Sequence, residues 1–212
     1  MEQTAKRKIN WALWIALTFV IGIALDSFSA FQGECRQLQG EVLRLHILAN
    51  SDSPEDQALK LKVRDRILAE TGELFNNAEG LSDAEDLARE NLDRVEEIAR
   101  QTLAEEGCNT PVSARVSRLF FDTRAYDGFT MPAGRYNALQ ITIGEGKGHN
   151  WWCVLYPPLC LAAAEKLPEA MEGFSPEERQ LLESKPEYEV RFFLVELAGK
   201  LGEWFSKWTV DN

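Results

Sequence analysis

Hydrophobic and polar positions divide the chain into one long apolar run and several shorter patterned segments. Residues 9–25 contain no charged side chain, and a basic stretch, Lys6 to Lys8, comes directly before them. A basic stretch followed by an apolar run at an N-terminus is typical of an export signal. The remainder of the chain shows the alternating and helical spacings of a folded domain.

The length of the apolar run bears on whether it is removed. Its densest part, residues 11–25, would extend about 22 Å as a helix, less than the ~30 Å hydrocarbon core of a bilayer. This favours a cleaved signal peptide, with the small residues Ser27 and Ser29 near the cleavage point, over an uncleaved anchor. We predict two parts: residues 1–30, a signal peptide or N-terminal membrane anchor, and residues 31–212, an exported globular domain.

A strand followed by a helix opens the predicted domain. Residues 41–50 alternate between an apolar side and a side that carries Arg44 and His46, which predicts a half-buried strand. Ser53 then supplies the N-cap of an amphipathic helix that we expect to end at Gly72.

Three further helices are predicted. Ser82 begins a capping box that opens a longer helix with a charged outer face, and Gly107 ends that helix. Ser175 begins a second capping box, for a short helix. Near the C-terminus, a stripe of apolar residues at helical spacing predicts a last helix. We expect this stripe to face the core. The stripe consists of Val190, Phe193, Leu197, Leu201, Trp204 and Trp208.

Three more strands complete the predicted sheet, over residues 111–121, 136–143 and 149–156. Glycines in residues 144–148 lie between the last two strands and predict a hairpin whose turn needs positive φ. We predict a single compact domain of α+β or α/β class, in which a small mixed sheet is packed by amphipathic helices.

Composition narrows the possible functions. Acidic residues number 34 against 23 basic ones, a net charge of -11, so we predict no nucleic-acid partner. Lys147 lies in the glycine-rich segment, but the GxxxxGK[ST] spacing of a phosphate loop is missing. Two histidines and four cysteines show no metal-ligand spacing, so we predict neither a metal nor a cofactor.

The cysteines allow two interpretations. Cys153 and Cys160 flank a pair of prolines, and we predict a disulfide between them because the chain is exported, with Cys35 and Cys108 remaining. The alternative is a cysteine nucleophile in a hydrolase or amidase that acts on cell-wall or peptide substrates.

The base for such a nucleophile would be one of the two histidines. Along a strand, His149 lies about 13 Å from Cys153, so these side chains can meet only if the segment is helical or bulged. His46, on another strand, is the second possible base. Both possibilities stay open from the sequence.

Two long segments resemble a known family. LRLHILANSDSPEDQALKLKVRDRIL, residues 43–68, and PAGRYNALQITIGEGKGHNWWCVLYPPLC, residues 132–160, resemble the stage II sporulation protein R family of endospore-forming bacteria, in the same order and after a similar export segment. The resemblance implies a protein made in the forespore and exported into the space between the two sporulation membranes. There it would activate a membrane-embedded aspartic protease of the mother cell, which then cleaves the precursor of a sigma factor. It implies an activator with no catalytic residues of its own.

Polar residues of these two segments form the predicted partner-binding surface, because loop residues of this kind carry function more often than packing. They are Asn50, Ser51, Asp52, Lys147, His149, Asn150 and Trp151. We expect them to contact the protease, and we expect residues 9–25 to contact the membrane if the N-terminal segment is not cleaved.

Overall fold

The computed structural model describes residues 2–126, 129–159, 171, 174–183 and 192–201. The helices are α1 (Glu2–Gln39), α2 (Pro54–Asn76), α3 (Leu81–Glu90), α4 (Leu92–Glu105), α5 (Pro176–Leu182) and α6 (192–201). The strands are β1 (Leu43–Leu48), β2 (Val112–Phe121), β3 (Arg124–Tyr126), β4 (Phe129–Met131), β5 (Gly134–Ile143) and β6 (Asn150–Tyr156). The predicted α+β class is confirmed.

Four strands form the main sheet in the order β2-β5-β1-β6, and β3 pairs with β4 in a short separate hairpin. β1 runs parallel to β5 and antiparallel to β6, so it lies between the two strands that we expected to form a hairpin. The predicted hairpin is therefore wrong. The glycine-rich segment that joins β5 to β6 instead crosses over the end of β1.

Helices cover one face of this sheet. α2, α3 and α4 pack their apolar sides on Leu43, Leu45 and Ile47 of β1 and on the matching residues of β5 and β6. We call this the helix-covered face. The second face carries another cluster, built from the last part of α1, the β3–β4 hairpin, α5 and α6. Because both faces are packed around β1, Arg44 and His46 are buried, and the prediction of a half-buried strand is wrong.

The helix ends follow the sequence signals in part. Ser53 caps α2, with its Oγ accepting from Asp56 N at 3.1 Å. The helix continues past Gly72 to Asn76, since the burial of Phe75 outweighs the cost of about 1 kcal/mol for a glycine inside a helix. Ser82 lies inside α3, whose N-cap is Gly80, so the predicted cap is wrong.

The long helix predicted after Ser82 is divided into α3 and α4 at Asn91. Its predicted end is confirmed. Gly107 has φ +75°, and the Gly107 and Cys108 amides donate to the Ala104 and Leu103 carbonyls, which terminates the helix in a Schellman motif.

α1 joins the apolar N-terminal segment to the domain without a break. Its length and apolar composition are sufficient for crossing a membrane. A signal sequence at an N-terminus has the same properties. Its last turns are part of the domain, because Phe31, Cys35 and Leu38 are buried in the cluster on the second face. The predicted boundary between residues 30 and 31 thus falls inside a helix.

The C-terminal region differs from the predicted stripe. The Ser175–Glu178 capping box opens α5 as predicted. In α6, however, Phe192 and Val195 face the core, whereas the predicted core residues Phe193, Leu197 and Leu201 are exposed. Phe192 packs against Phe31 of α1, with ring centroids 5.5 Å apart, which fixes the rotation of the helix. Val190, Trp204 and Trp208 lie outside the described residues.

Candidate functional site

Two loops meet at the end of the sheet where β1 finishes. One covers residues 49–53 between β1 and α2, and the other covers residues 144–149 between β5 and β6. The Gly148 amide donates to the Ala49 carbonyl at 3.0 Å, and the Lys147 amide donates to the Asn50 carbonyl at 3.2 Å. We call residues 49–53 and 144–149 the paired loops. They bring together the two segments in which the partner surface was predicted.

Glycines allow the paired loops to approach each other this closely. A Cβ on Gly148 would lie 2.1 Å from the Ser51 carbonyl oxygen, and one on Gly144 would lie 2.1 Å from Asn50 Oδ1. Gly144 also has φ +58°, a backbone conformation that other residues rarely adopt. The sequence predicts a hairpin turn for these glycines, whereas in the structure they allow the two loops to contact each other.

Asp56, in the first turn of α2, organises the first of the paired loops. Its Oδ2 accepts from Asn50 Nδ2 at 2.9 Å and from Ser51 Oγ at 2.5 Å. These hydrogen bonds, that from Ser51 first, hold the pKa of Asp56 below its usual range. Asn50 Oδ1 also accepts from the Glu145 amide at 3.1 Å. Asn50 and Ser51 therefore hold the loops in shape.

Asp52 and His149 form an exposed pair on top of the paired loops. Asp52 Oδ1 lies 2.5 Å from His149 Nδ1 and accepts from the His149 amide at 2.5 Å. Their side chains are 55% and 81% exposed. The hydrogen bond from the His149 side chain is the main cause that lowers the pKa of Asp52. Among the predicted residues, this pair best combines a fixed position with access for a partner.

The remaining predicted residues differ in their accessibility. Lys147 is 76% exposed and pairs with Glu145 at 2.6 Å, and Asn150 is exposed at the start of β6. Trp151 instead packs against the core of the helix-covered face, with the Arg64 guanidinium 4.1 Å from its ring centroid. Trp151 is thus better placed to support the site than to contact a partner.

Sequence reasoning missed a lysine beneath the loops. Lys60 is almost fully buried, and its Nζ donates to the His149 carbonyl at 2.9 Å and to Gln57 Oε1 at 2.6 Å. Burial lowers its pKa. The signal was present, because Lys60 falls on the same helical side as Val63 and Ile67, where an apolar residue is expected.

A row of polar and aromatic side chains crosses the second face of the sheet beside the paired loops. Arg115 Nε donates to Gln140 Oε1 at 2.7 Å, and Gln140 Nε2 donates to His46 Nδ1 at 3.2 Å. The His46 ring stacks on Trp152 at a centroid distance of 3.8 Å. Burial, the largest cause, lowers the pKa of His46 to about 4, so the ring is neutral at pH 7. Only the sheet order brings these residues into one row.

Arg44 lies two residues before His46 on the same face of β1, and it is fully buried among aromatic rings. Its Nε donates to the Cys153 carbonyl at 3.1 Å and its Nη2 to the Tyr126 hydroxyl at 2.7 Å. The guanidinium lies 4.5 Å from the centroid of the Phe121 ring. Burial lowers its pKa. Arg44 ties the β3–β4 hairpin to the sheet and has no access to a partner.

Within the described part of the chain, Cys153 is not placed to act as the nucleophile that the sequence left open. Cys153 is disulfide-bonded and buried, so it offers no thiolate. It aligns with Leu45 in the sheet and lies in the cluster of the helix-covered face, whereas His46 lies on the second face. Cys160 is outside the described residues, so the predicted pairing stays a prediction.

Cys35 and Cys108 are free thiols. Within the described residues, no group of three His, Cys, Asp or Glu side chains could hold a metal ion.

Fold and site together define a small α+β protein with an apolar N-terminal helix and an exposed polar surface at the far end of its sheet. The family model for stage II sporulation protein R matches residues 39–166. The chain is also 36% identical over 177 residues to stage II sporulation protein R of Bacillus subtilis (strain 168), covering 74% of this chain and 79% of that protein. No solved structure matches. The chain belongs to the stage II sporulation protein R family, which supports a role in sporulation.

Proposed function

We propose that this protein is an exported sporulation signal that activates a membrane-embedded aspartic protease of the mother cell. The protease then matures the precursor of the mother-cell sigma factor. Family membership supports the sporulation role, and the apolar helix α1 is compatible with export. The observation that carries the proposal is the exposed Asp52–His149 pair, which the paired loops hold in place.

The positions of α1 and the paired loops at opposite ends of the sheet support an orientation of the domain between the two membranes. α1 leads into the first residue of β1, and the paired loops begin after its last residue, about 17 Å away along a six-residue strand. If α1 remains in the forespore membrane, the paired loops point away from that membrane. They would then face the mother-cell membrane, in which the protease is embedded.

Activation needs no chemistry by the signal itself. A ligand shifts a two-state receptor only by the difference between its affinities for the two states. Moving an equilibrium from 1:99 to 99:1 takes about 5.5 kcal/mol of such preference. An exposed surface with polar side chains held in fixed positions, such as the Asp52–His149 pair, can supply part of that preference in contact with the active form of the protease.

Co-production in non-sporulating cells tests this function. The full chain, its cognate protease and the sigma-factor precursor would be expressed together, and precursor cleavage would be compared with a chain that lacks residues 1–30 and stays inside the cell. Cleavage that requires the exported chain supports the proposal. Absence of any dependence, with export and folding confirmed, refutes it.

A pair of cysteine variants separates activation from hydrolysis. If Cys153 only forms the predicted disulfide, Cys153→Ala and Cys160→Ala should affect precursor cleavage equally, since either removes the same bond. If Cys153 is a nucleophile, Cys153→Ala alone should abolish activity. The second outcome would favour the exported hydrolase or amidase.

A further inference from the structure

We propose that a cavity between α1 and α6 binds the phosphate of an anionic lipid headgroup. The cavity has a volume of about 450 Å³ and lies at the end of the sheet opposite the paired loops. Its walls come from the last turns of α1, the end of β2, the start of β5 and one side of α6.

The charge of the cavity is the first argument. Three arginines line it, Arg36, Arg118 and Arg135, and none of the described residues that line it is Asp or Glu, although the whole chain has a net charge of -11. Over the described residues, neither Arg36 nor Arg118 forms an ion pair; Arg36 Nε donates only to the Gln32 carbonyl, at 3.3 Å. The planar guanidinium group of an arginine can donate two parallel hydrogen bonds to two oxygens of a phosphate.

The apolar part of the cavity lining indicates which kind of anionic ligand fits. Apolar groups lie beside the arginines, contributed by Cys35, Phe120, Ala133, Val195 and Ala198. Gly199 lets α6 come close to this wall, because a Cβ there would lie 2.6 Å from the Phe120 ring. A simple inorganic anion would leave the apolar half unused. A ligand with an anionic group joined to an apolar part would use both halves.

The position of the cavity along α1 indicates where such a ligand is found. Gln32, Arg36 and Gln39 of the lining lie on the helix that begins as the apolar N-terminal segment. Gln32 is seven residues beyond Leu25, about 10 Å along a helix, and a headgroup layer is about 5–8 Å thick, so the cavity lies at the outer edge of that layer. Arginines within that distance of an anionic bilayer are attracted to it.

Binding would fix the tilt of the domain on the membrane and so the direction in which the paired loops point. The inference uses a membrane-linked α1 but not the activation of a protease. Either one can therefore fail without the other.

Calorimetric titration of the full chain in a neutral maltoside detergent tests the site. The probes are dihexanoyl phosphatidylglycerol, dihexanoyl phosphatidylcholine and inorganic phosphate. We expect phosphatidylglycerol to bind at least ten-fold more tightly than either of the others. In the double variant Arg36→Gln, Arg118→Gln we expect that affinity to fall at least ten-fold.

Arg100→Gln is the matched control for Arg118→Gln, because Arg100 lies on the outer face of α4 and each substitution removes one positive charge. It should bind phosphatidylglycerol like the wild type. If the double variant does not fold, Arg118→Gln alone, at an exposed residue, should weaken binding several-fold. Equal affinity for both lipids, or wild-type affinity in the Arg118 variants, would overturn the site. Phosphate binding as tightly as phosphatidylglycerol would refute the lipid as the ligand.

Discussion

Gly148 determines how closely the paired loops can approach. A Cβ at this position would lie 2.1 Å from the Ser51 carbonyl oxygen, a backbone atom that can move only with its loop. We expect Gly148→Ala to lower the free energy of unfolding by about 1–3 kcal/mol, the usual cost of forcing extra atoms into a packed site. Urea-induced unfolding measures the change.

Gly72→Ala is the matched control. No atom lies within 4 Å of a Cβ at Gly72, and the residue is inside α2, where alanine is favoured over glycine by about 1 kcal/mol. We expect no loss of stability, and up to about 1 kcal/mol of gain. Equal effects of the two substitutions would mean that the paired loops are not in close contact.

His46 links the second face of the sheet to pH. Burial lowers its pKa from 6.5 to about 4, an effect that the Asn150 side chain opposes and the charges of Arg44 and Arg115 increase. Between these two pH values, the unfolded chain binds a proton that the folded chain does not, so stability falls as the pH falls from 6.5 to 4. The loss approaches about 3 kcal/mol at 1.36 kcal/mol per pH unit.

The variant His46→Gln cannot titrate and keeps a polar side chain beside Gln140. We expect its free energy of unfolding to change less between pH 6.5 and pH 4.5 than that of the wild type, by roughly 2 kcal/mol. Urea titrations at both pH values measure this difference. Identical pH dependence in the two proteins would show that His46 is not buried in its neutral form.

Rotation about a helix axis decides which residues of α6 pack. Two adjacent phenylalanines make the matched test, since Phe192 is 4% exposed and Phe193 is 62% exposed. We expect Phe192→Ala to cost about 3–5 kcal/mol, the range for a buried aromatic side chain, and Phe193→Ala to stay within about 0.5 kcal/mol of the wild type. Thermal and urea unfolding give both values. A larger loss from Phe193→Ala would restore the stripe predicted from the sequence.

The positions of helices and strands along the chain could be predicted from local patterns. The neighbours of each strand in the sheet could not. The alternation around Leu43–Leu48 and the Ser53 and Ser175 caps depend on neighbours within a few residues, so the sequence alone indicates them. Strand order depends on contacts between distant segments. β5 and β6 are consecutive, yet β1 lies between them, and its apolar residues on one side and Arg44 and His46 on the other are all buried there.

The candidate site shows the same division. Asn50, Asp52 and His149 can be predicted from the sequence because they lie in polar segments at or beside strand ends, and the crossover brings these segments together. The roles of Lys60 and Gln140 depend on which strands are neighbours, which local spacing does not specify. Phe193 and Leu197 were assigned to the core because helical spacing is shared by two neighbouring sides of α6, both of which are apolar.

At the scale of the whole molecule, the sheet separates two surfaces. The apolar helix α1 and the arginine-lined cavity lie at one end, and the paired loops with the Asp52–His149 pair lie at the other. This arrangement suits a protein that is held at one membrane and recognised from another.

Precursor cleavage in co-producing cells, driven by a chain that carries Asp52→Ala and His149→Ala, tests the central claim most directly. The control is Asp86→Ala with Arg89→Ala, which removes an exposed ion pair of 2.9 Å from α3. With both variants exported and folded, we predict that the first loses at least nine-tenths of the cleavage and that the control keeps it. Full cleavage with the Asp52 and His149 variant would contradict the claim that the paired loops are the surface recognised by the protease.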